Sequence, residues 1–309
     1  MKRQSVFLPA VFGLILCGLT FHFVSGNTNV FAQMSGERQL VTRTAKSAPV
    51  EPRIKAADAL RFSAAASANA ASRDTLAWPF GGKNQIGWSI YVPLIANTVG
   101  TDAGPNTPEF AASLAAWQAN RGIQSTGILD VSTLESLRSL WQSQRLGRSG
   151  VPSEDRLLTA PIFDFYDPTR GPDLLKLERE TYTAYRKMIA AASKDLGGSI
   201  KFTKTGELAE GEKFLRIVSA FRSPEYQQQL RQQSPGSGRA ALAKNSAHST
   251  GQALDLYVGG EPVSTKDANR LVQVRTPAYK WLVKNAARFG FHNYFYEPWH
   301  WEYVGAEKR

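Results

Sequence analysis

The chain has 309 residues, 42% of them hydrophobic and 20% charged, with a formal net charge of +11 and one cysteine. That length and hydrophobic content suit one or two packed domains and argue against a disordered or fibrous chain. Cys17 alone rules out an intramolecular disulfide framework, and the basic excess points towards polyanionic partners.

The N-terminus reads as an export signal. Lys2 and Arg3 precede an uncharged run from Val6 to Val24, and Val30-Phe31-Ala32 resembles a cleavage site before Gln33. Val24-Ser25-Gly26 is a second candidate site, and the length of the run keeps an uncleaved membrane anchor open. Leu16 is too large for Cys17 to fit a lipidation site. Cleavage after Ala32 removes Lys2, Arg3 and Cys17, leaving a cysteine-free chain of charge +9. Any metal must then be held by nitrogen and oxygen. No basic stretch interleaves with aromatics, so nucleic acid is not an expected partner. An anionic wall polymer is favoured, although charge that serves only solubility explains the excess equally well.

Residues 33–73 are rich in Ala, Ser, Lys and Arg and poor in large apolar side chains, which predicts a flexible tether. A helical unit follows. Trp88, Tyr91, Val92 and Ile95 mark a first helix by their spacing of three and four. Thr107 caps a second, with Pro108 in its first position and Phe110, Leu114 and Trp117 on its apolar face. Asp130 or Ser132 starts a third, with Leu134, Leu137, Leu140 and Trp141 inward. The run T-P-E-F-A-A-S-L-A-A-W-Q-A-N-R-G-I-Q-S-T-G-I-L-D-V-S-T-L-E-S-L, Thr107 to Leu137, resembles the peptidoglycan-binding three-helix module. It predicts such a domain over 74–148; a plain helical spacer is the alternative.

Arg148 to Pro152 reads as a boundary before a larger domain, 151–309. Helices are expected over Leu174 to Ala192, Pro224 to Gln233 and Thr276 to Phe289. Strands are expected over Phe214 to Ala220, Gly251 to Val258, Phe291 to Phe295 and Trp301 to Val304. Interspersed helices and antiparallel strands predict an α+β domain. No internal repeat is found.

Only four histidines occur, and two sit in short polar motifs: S-A-H-S-T-G-Q-A-L-D, Ser246 to Asp255, and E-P-W-H, Glu297 to His300. Strand alternation puts Asp255 on one face with Ala253 and Tyr257, where a buried carboxylate needs a partner. Gly251 permits a bend that brings His248 back towards Asp255. His248, Asp255 and His300 could then form a three-ligand set with one position open to water, the economy of a catalytic zinc site.

The motifs S-x-H-x-x-G-x-A-x-D and E-P-W-H-W-x-Y-V-G closely resemble the VanY-type zinc D-alanyl-D-alanine carboxypeptidases of the LAS metallopeptidase group. Ser219 to Gln227, S-A-F-R-S-P-E-Y-Q, and Gly290 to Tyr294, G-F-H-N-Y, fit two further elements of that family. Ala220-Phe221 departs from its common Gly-Tyr pair. The resemblance implies an antiparallel-sheet zinc peptidase domain with flanking helices, preceded by the small all-α module. It implies one Zn2+ per chain on His248, Asp255 and His300, with Glu297 as the base that activates the metal's water.

Arg222 is implied to stabilise the oxyanion or clamp a substrate carboxylate; its own position also allows a structural pair with Asp255 or Glu225. Ser246 and Gln227 are implied to bind the peptide's terminal carboxylate or amide, although Ser246 also suits a simple loop cap. Trp299 is implied to wall the pocket. The expected activity is hydrolysis of D-Ala-D-Ala bonds in peptidoglycan stem peptides by a monomer in the periplasm or cell envelope. Membrane contact is expected only if the N-terminal segment is retained. An endopeptidase of the same fold, cutting D,D or L-Ala–D-Glu bonds, and a non-catalytic wall-binding protein are the alternatives. Loss of 33–148 is expected to weaken wall binding while sparing cleavage of a small peptide.

Overall fold

The computed structural model describes residues 56–147, 150–233 and 246–305. The predicted export signal, 1–32, lies outside them. No helix of the described residues is long and apolar enough to cross a membrane.

Four helices and a hairpin open the described chain: α1, Ala56–Ser72; β1, Ala77–Phe80, paired antiparallel with β2, Lys83–Ile86; α2, Val92–Val99; α3, Pro108–Asn120; and α4, Val131–Ser143. The expected caps form. Thr107 Oγ1 accepts the Phe110 N–H at 3.3 Å, and an Asp130 carboxylate oxygen accepts the Thr133 N–H at 2.7 Å.

The W-Q…T-G pattern has a physical reason. Buried Gln118 accepts the Gly127 N–H at 2.8 Å and donates to Thr133 Oγ1 at 2.9 Å and the Ile128 carbonyl at 3.0 Å. Gly127 has φ +70°, and a Cβ there would lie 2.6 Å from the Ala111 carbonyl oxygen. The loop therefore presses on α3 so closely that only glycine fits.

The stretch expected as a tether is helical from Ala56. Phe62 and Ala65 bury against Ala111 and Ala115 of α3, while the Asn69 amide donates to the Gly127 carbonyl and accepts the Leu129 N–H, both at 2.8 Å. Alanines hide this helix from a reading that looks for large apolar residues. A surface with small side chains permits close approach, and one buried amide fixes the register.

The following elements are β3, Leu157–Thr159, paired antiparallel with β4, Lys176–Glu178; α5, Arg179–Leu196; β5, Ile217–Ser219; α6, Pro224–Gln233; β6, Ala253–Leu256; α7, Asp267–Gln273; α8, Pro277–Asn285; β7, Phe291–Asn293; and β8, His300–Tyr303. An antiparallel four-stranded sheet has the order β5-β6-β8-β7. The α+β expectation is met. Most boundaries shift by a few residues, and two starts move for a visible reason. The helix expected from Leu174 starts at Arg179, because Leu177 lies in β4 and the Glu178 carboxylate caps the helix at the Thr181 N–H, 2.9 Å away. The strand expected from Phe214 starts at Ile217, because Leu215 takes a left-handed backbone, φ 66°.

One apolar cluster runs through both halves, from Trp88, Tyr91, Leu114 and Trp141 to Leu254, Tyr279, Phe295 and Trp301. The Phe80 ring lies 5.0 Å from both Phe295 and Tyr296, and the Tyr91 ring lies 5.6 Å from Phe295. Arg270, 1% exposed, donates to the Tyr91 hydroxyl at 3.1 Å and to the Tyr296 carbonyl at 3.1 Å. The helices and the sheet share a core.

Candidate metal centre

Strand register assembles the site. Asp255 on β6 is directly opposite His300 on β8 and Ser219 on β5, so these side chains project from one face of adjacent strands. His248 comes from the single 3₁₀ turn Ala247–Thr250, which Ser246 caps by accepting the His248 N–H at 3.3 Å. Gly251, φ +70°, then reverses the chain into β6. A Cβ at Gly251 would lie 2.9 Å from the Glu178 backbone nitrogen, which donates to the Gly251 carbonyl at 3.0 Å. Gly251→Ala is therefore expected to lower the unfolding free energy by at least about 1–2 kcal/mol, the cost of a left-handed alanine. An unchanged denaturant midpoint would show that the bend can be redrawn without cost.

His248, Asp255 and His300 are all buried, and one ligand atom from each lies within 4.8 Å of the others. His248 Nδ1 is 2.7 Å from the Ala220 carbonyl oxygen, which can only accept, so this nitrogen carries the proton. The remaining nitrogen, Nε2, faces Asp255 Oδ1 at 3.2 Å. His300 repeats the arrangement with its nitrogens exchanged. Nε2 is 3.1 Å from Glu302 Oε1, and Nδ1 faces the same Asp255 Oδ1 at 3.0 Å. Each ring is thus oriented through one nitrogen while the other converges on one carboxylate oxygen. Three Lewis bases aimed at one point are satisfied by a cation or by shared protons. The donor set of two imidazoles and a carboxylate fits a divalent metal.

Electrostatics follow from burial and pairing. Burial opposes the charge of Asp255, but His248, His300 and Arg222 around it hold its carboxyl well below the usual carboxylate range. Burial and the Arg222 charge push His248 down to about 4. Burial also works against protonation of His300, but its hydrogen bonds to Asp255 and Glu302 win and carry it to about 9. Burial pushes Glu297 up to about 7, with Asp255 adding to the rise. Among the described residues its buried Oε1 has no hydrogen-bond partner. A buried, unpaired carboxylate beside such a cluster is a group held ready to exchange a proton.

The other expected site residues are placed as follows. Arg222 Nη2 donates to Asp255 Oδ2 at 2.8 Å and Nε to Ser219 Oγ at 2.9 Å, so the guanidinium braces the back of Asp255. This is the structural pair left open by the sequence. Gln227 is buried on α6. Trp299, expected on a pocket wall, is 2% exposed and packs in the main core. Glu302 was not foreseen, although its spacing of two from His300 on a strand puts both on one face.

A mixed domain whose antiparallel sheet carries a buried His–Asp–His cluster beside a buried glutamate has the donor set and the acid–base group of a metal-assisted hydrolytic site. Residues 174–306 match the family model described as VanY: D-alanyl-D-alanine carboxypeptidase, and this segment is a VanY-type peptidase domain. No curated protein matches the chain. Among solved structures, the LD-carboxypeptidase LdcB is similar at 23% identity over 51% of this chain and 71% of that one, with a TM-score of 0.36. A mutant of the vancomycin-resistance D,D-pentapeptidase VanY in complex with Zn(II) is similar at 21% identity over 43% of this chain and 75% of that one, with a TM-score of 0.28.

Proposed function

We propose that the chain is an exported, zinc-dependent D,D-carboxypeptidase that removes the terminal D-alanine from D-Ala-D-Ala-ended stem peptides of peptidoglycan. The observation that carries this reading is the convergence of His248 Nε2 and His300 Nδ1 on Asp255 Oδ1, beside the unpaired carboxylate of Glu297. His248, Asp255 and His300 would hold one zinc ion per chain, and three protein ligands leave a position for water or substrate. When bound, the ion supplies Lewis acidity and lowers the pKa of water from about 15.7 to about 7.

Glu297, raised to about 7 by burial, suits a group that takes a proton from the attacking water and returns it to the departing amine. Arg222 holds Asp255 in place and is proposed to meet the substrate's carboxylate or the developing oxyanion. Ser246 and Gln227 remain proposed contacts for the peptide terminus. The family match supports a peptidase acting on D-alanyl-D-alanine. The uncharged run from Val6 to Val24 supports export, and the Thr107 to Leu137 pattern supports a wall-facing helical segment.

The purified chain is expected to contain about one zinc ion and to lose activity with a chelator. Muropeptides incubated with it should lose the mass of one alanine. Release of a dipeptide or separation of cross-linked dimers would replace this reading with an endopeptidase. A folded, metal-free chain with no effect on muropeptides would overturn it.

A further inference from the structure

The acceptor that orients His300 is itself held from the helical half of the chain. Glu302 is 1% exposed. Its Oε1 accepts from Arg145 Nε at 3.2 Å and from Arg145 Nη2, and its Oε2 accepts the Leu146 N–H at 2.9 Å. Arg145 lies just beyond α4, and its guanidinium stacks over the Tyr294 ring at 4.1 Å and donates to Gln142 Oε1 at 3.0 Å. Side-chain and backbone donors thus reach one buried carboxylate across 157 and 156 residues of sequence.

We propose that Arg145 is a positioning residue of the metal centre: through Glu302 it fixes the Nε2–H form of His300 and aims the Nδ1 lone pair at the metal position. This rests on the metal reading proposed above. The physical logic is a relay of orientation. An imidazole presents a lone pair on Nδ1 only when its proton sits on Nε2, and an ionised acceptor at Nε2 favours that form and raises ligand basicity. Glu302 can do this only while immobile, and the bonds from Arg145 and the Leu146 N–H hold both of its oxygens in place. A guanidinium fits this task because it directs two N–H groups in a rigid fork, while the Leu146 amide fixes the second oxygen. The helical segment is then part of the active site, one residue removed from a metal ligand.

The test uses the full chain with Zn2+ and Co2+ as probes. Chelator competition reads affinity, Co2+ visible absorption reads ligand geometry, and circular dichroism of the metal-free protein reads the fold. Arg145→Gln and Glu302→Gln are each expected to weaken Zn2+ binding about 10–100-fold and to alter the Co2+ spectrum. The double variant should bind no more weakly than Glu302→Gln alone, because Arg145 acts through Glu302. Arg145→Lys should recover part of the loss. If the unaltered chain binds neither ion, the metal reading itself fails. If it binds and folded Arg145→Gln matches it in affinity and spectrum, the metal reading stands and the role of Arg145 is overturned. Should Arg145→Gln not fold, Arg145→Lys decides: weaker binding supports the role, and unaltered affinity and spectrum remove it.

Discussion

Exchange of Glu297 for glutamine is expected to lower kcat by about 10²–10⁴-fold, the range of a positioned acid–base group, while the zinc content stays unchanged. Glutamine keeps the volume and one oxygen but cannot exchange the proton. The separation of the two readouts follows from the site. Glu297 is outside the convergent set of His248, Asp255 and His300, and its Oε1 holds no hydrogen bond whose loss would disturb them. Its backbone makes the structural contribution: the carbonyl accepts the His300 N–H at 2.9 Å and Asn293 Nδ2 at 3.1 Å, and a side-chain exchange leaves both intact. Metal analysis and single-turnover kinetics on the same preparation check the claim. Wild-type turnover would remove Glu297 from the mechanism, and loss of zinc with activity would make it a ligand or a structural group instead.

The second large effect is expected from truncation. A fragment of 151–309 should lack a cooperative unfolding transition and bind zinc poorly, in contrast to the separable module that the sequence suggests. Removal of the helices strips Phe80, Tyr91 and Trp141 from Phe295 and Tyr296, and leaves buried Arg270 without the Tyr91 hydroxyl. Loss of one large buried aromatic costs about 3–5 kcal/mol. Whole domains are stable by only about 5–15 kcal/mol, so several such losses exceed the margin. Near-UV circular dichroism and thermal melting of the fragment read the outcome. A soluble fragment that melts cooperatively and binds zinc as the full chain does would restore the two-module view.

The grouping of His248, Asp255 and His300 was legible in sequence because it depends on residue type and short spacing. His248 and Asp255 sit seven apart around a glycine, and Glu297 and His300 sit three apart around a proline. The caps at Thr107 and Asp130 were legible for the same reason: each acts within three residues. Arg222 was visible, with its pairing to Asp255 held open as one of two roles. Trp299, expected as a pocket wall, packs in the main core, and a tryptophan beside His300 suits a wall or a core equally in sequence. The tether around Phe62 was misread because alanine and serine serve coil and closely packed helix alike. Contacts such as Arg145 with Glu302 leave no local trace, because nothing in either neighbourhood names a partner 157 residues away. The shared aromatic core had the same defect: each residue advertised burial, none its neighbour.

The arginines behind the cluster bear on the composition itself. Arg222 is matched by Asp255 and Arg145 by Glu302, so these four groups cancel in pairs. The chain's basic surplus is therefore not the charge of these two arginines, each of which is matched by a buried carboxylate. The surplus belongs to other positions, where it would favour attraction to any polyanionic matrix the chain meets. Salt should accordingly weaken attraction to such a matrix far more than it disturbs the buried pairs. On the proposed function, arrival and reaction would draw on separate populations of charge.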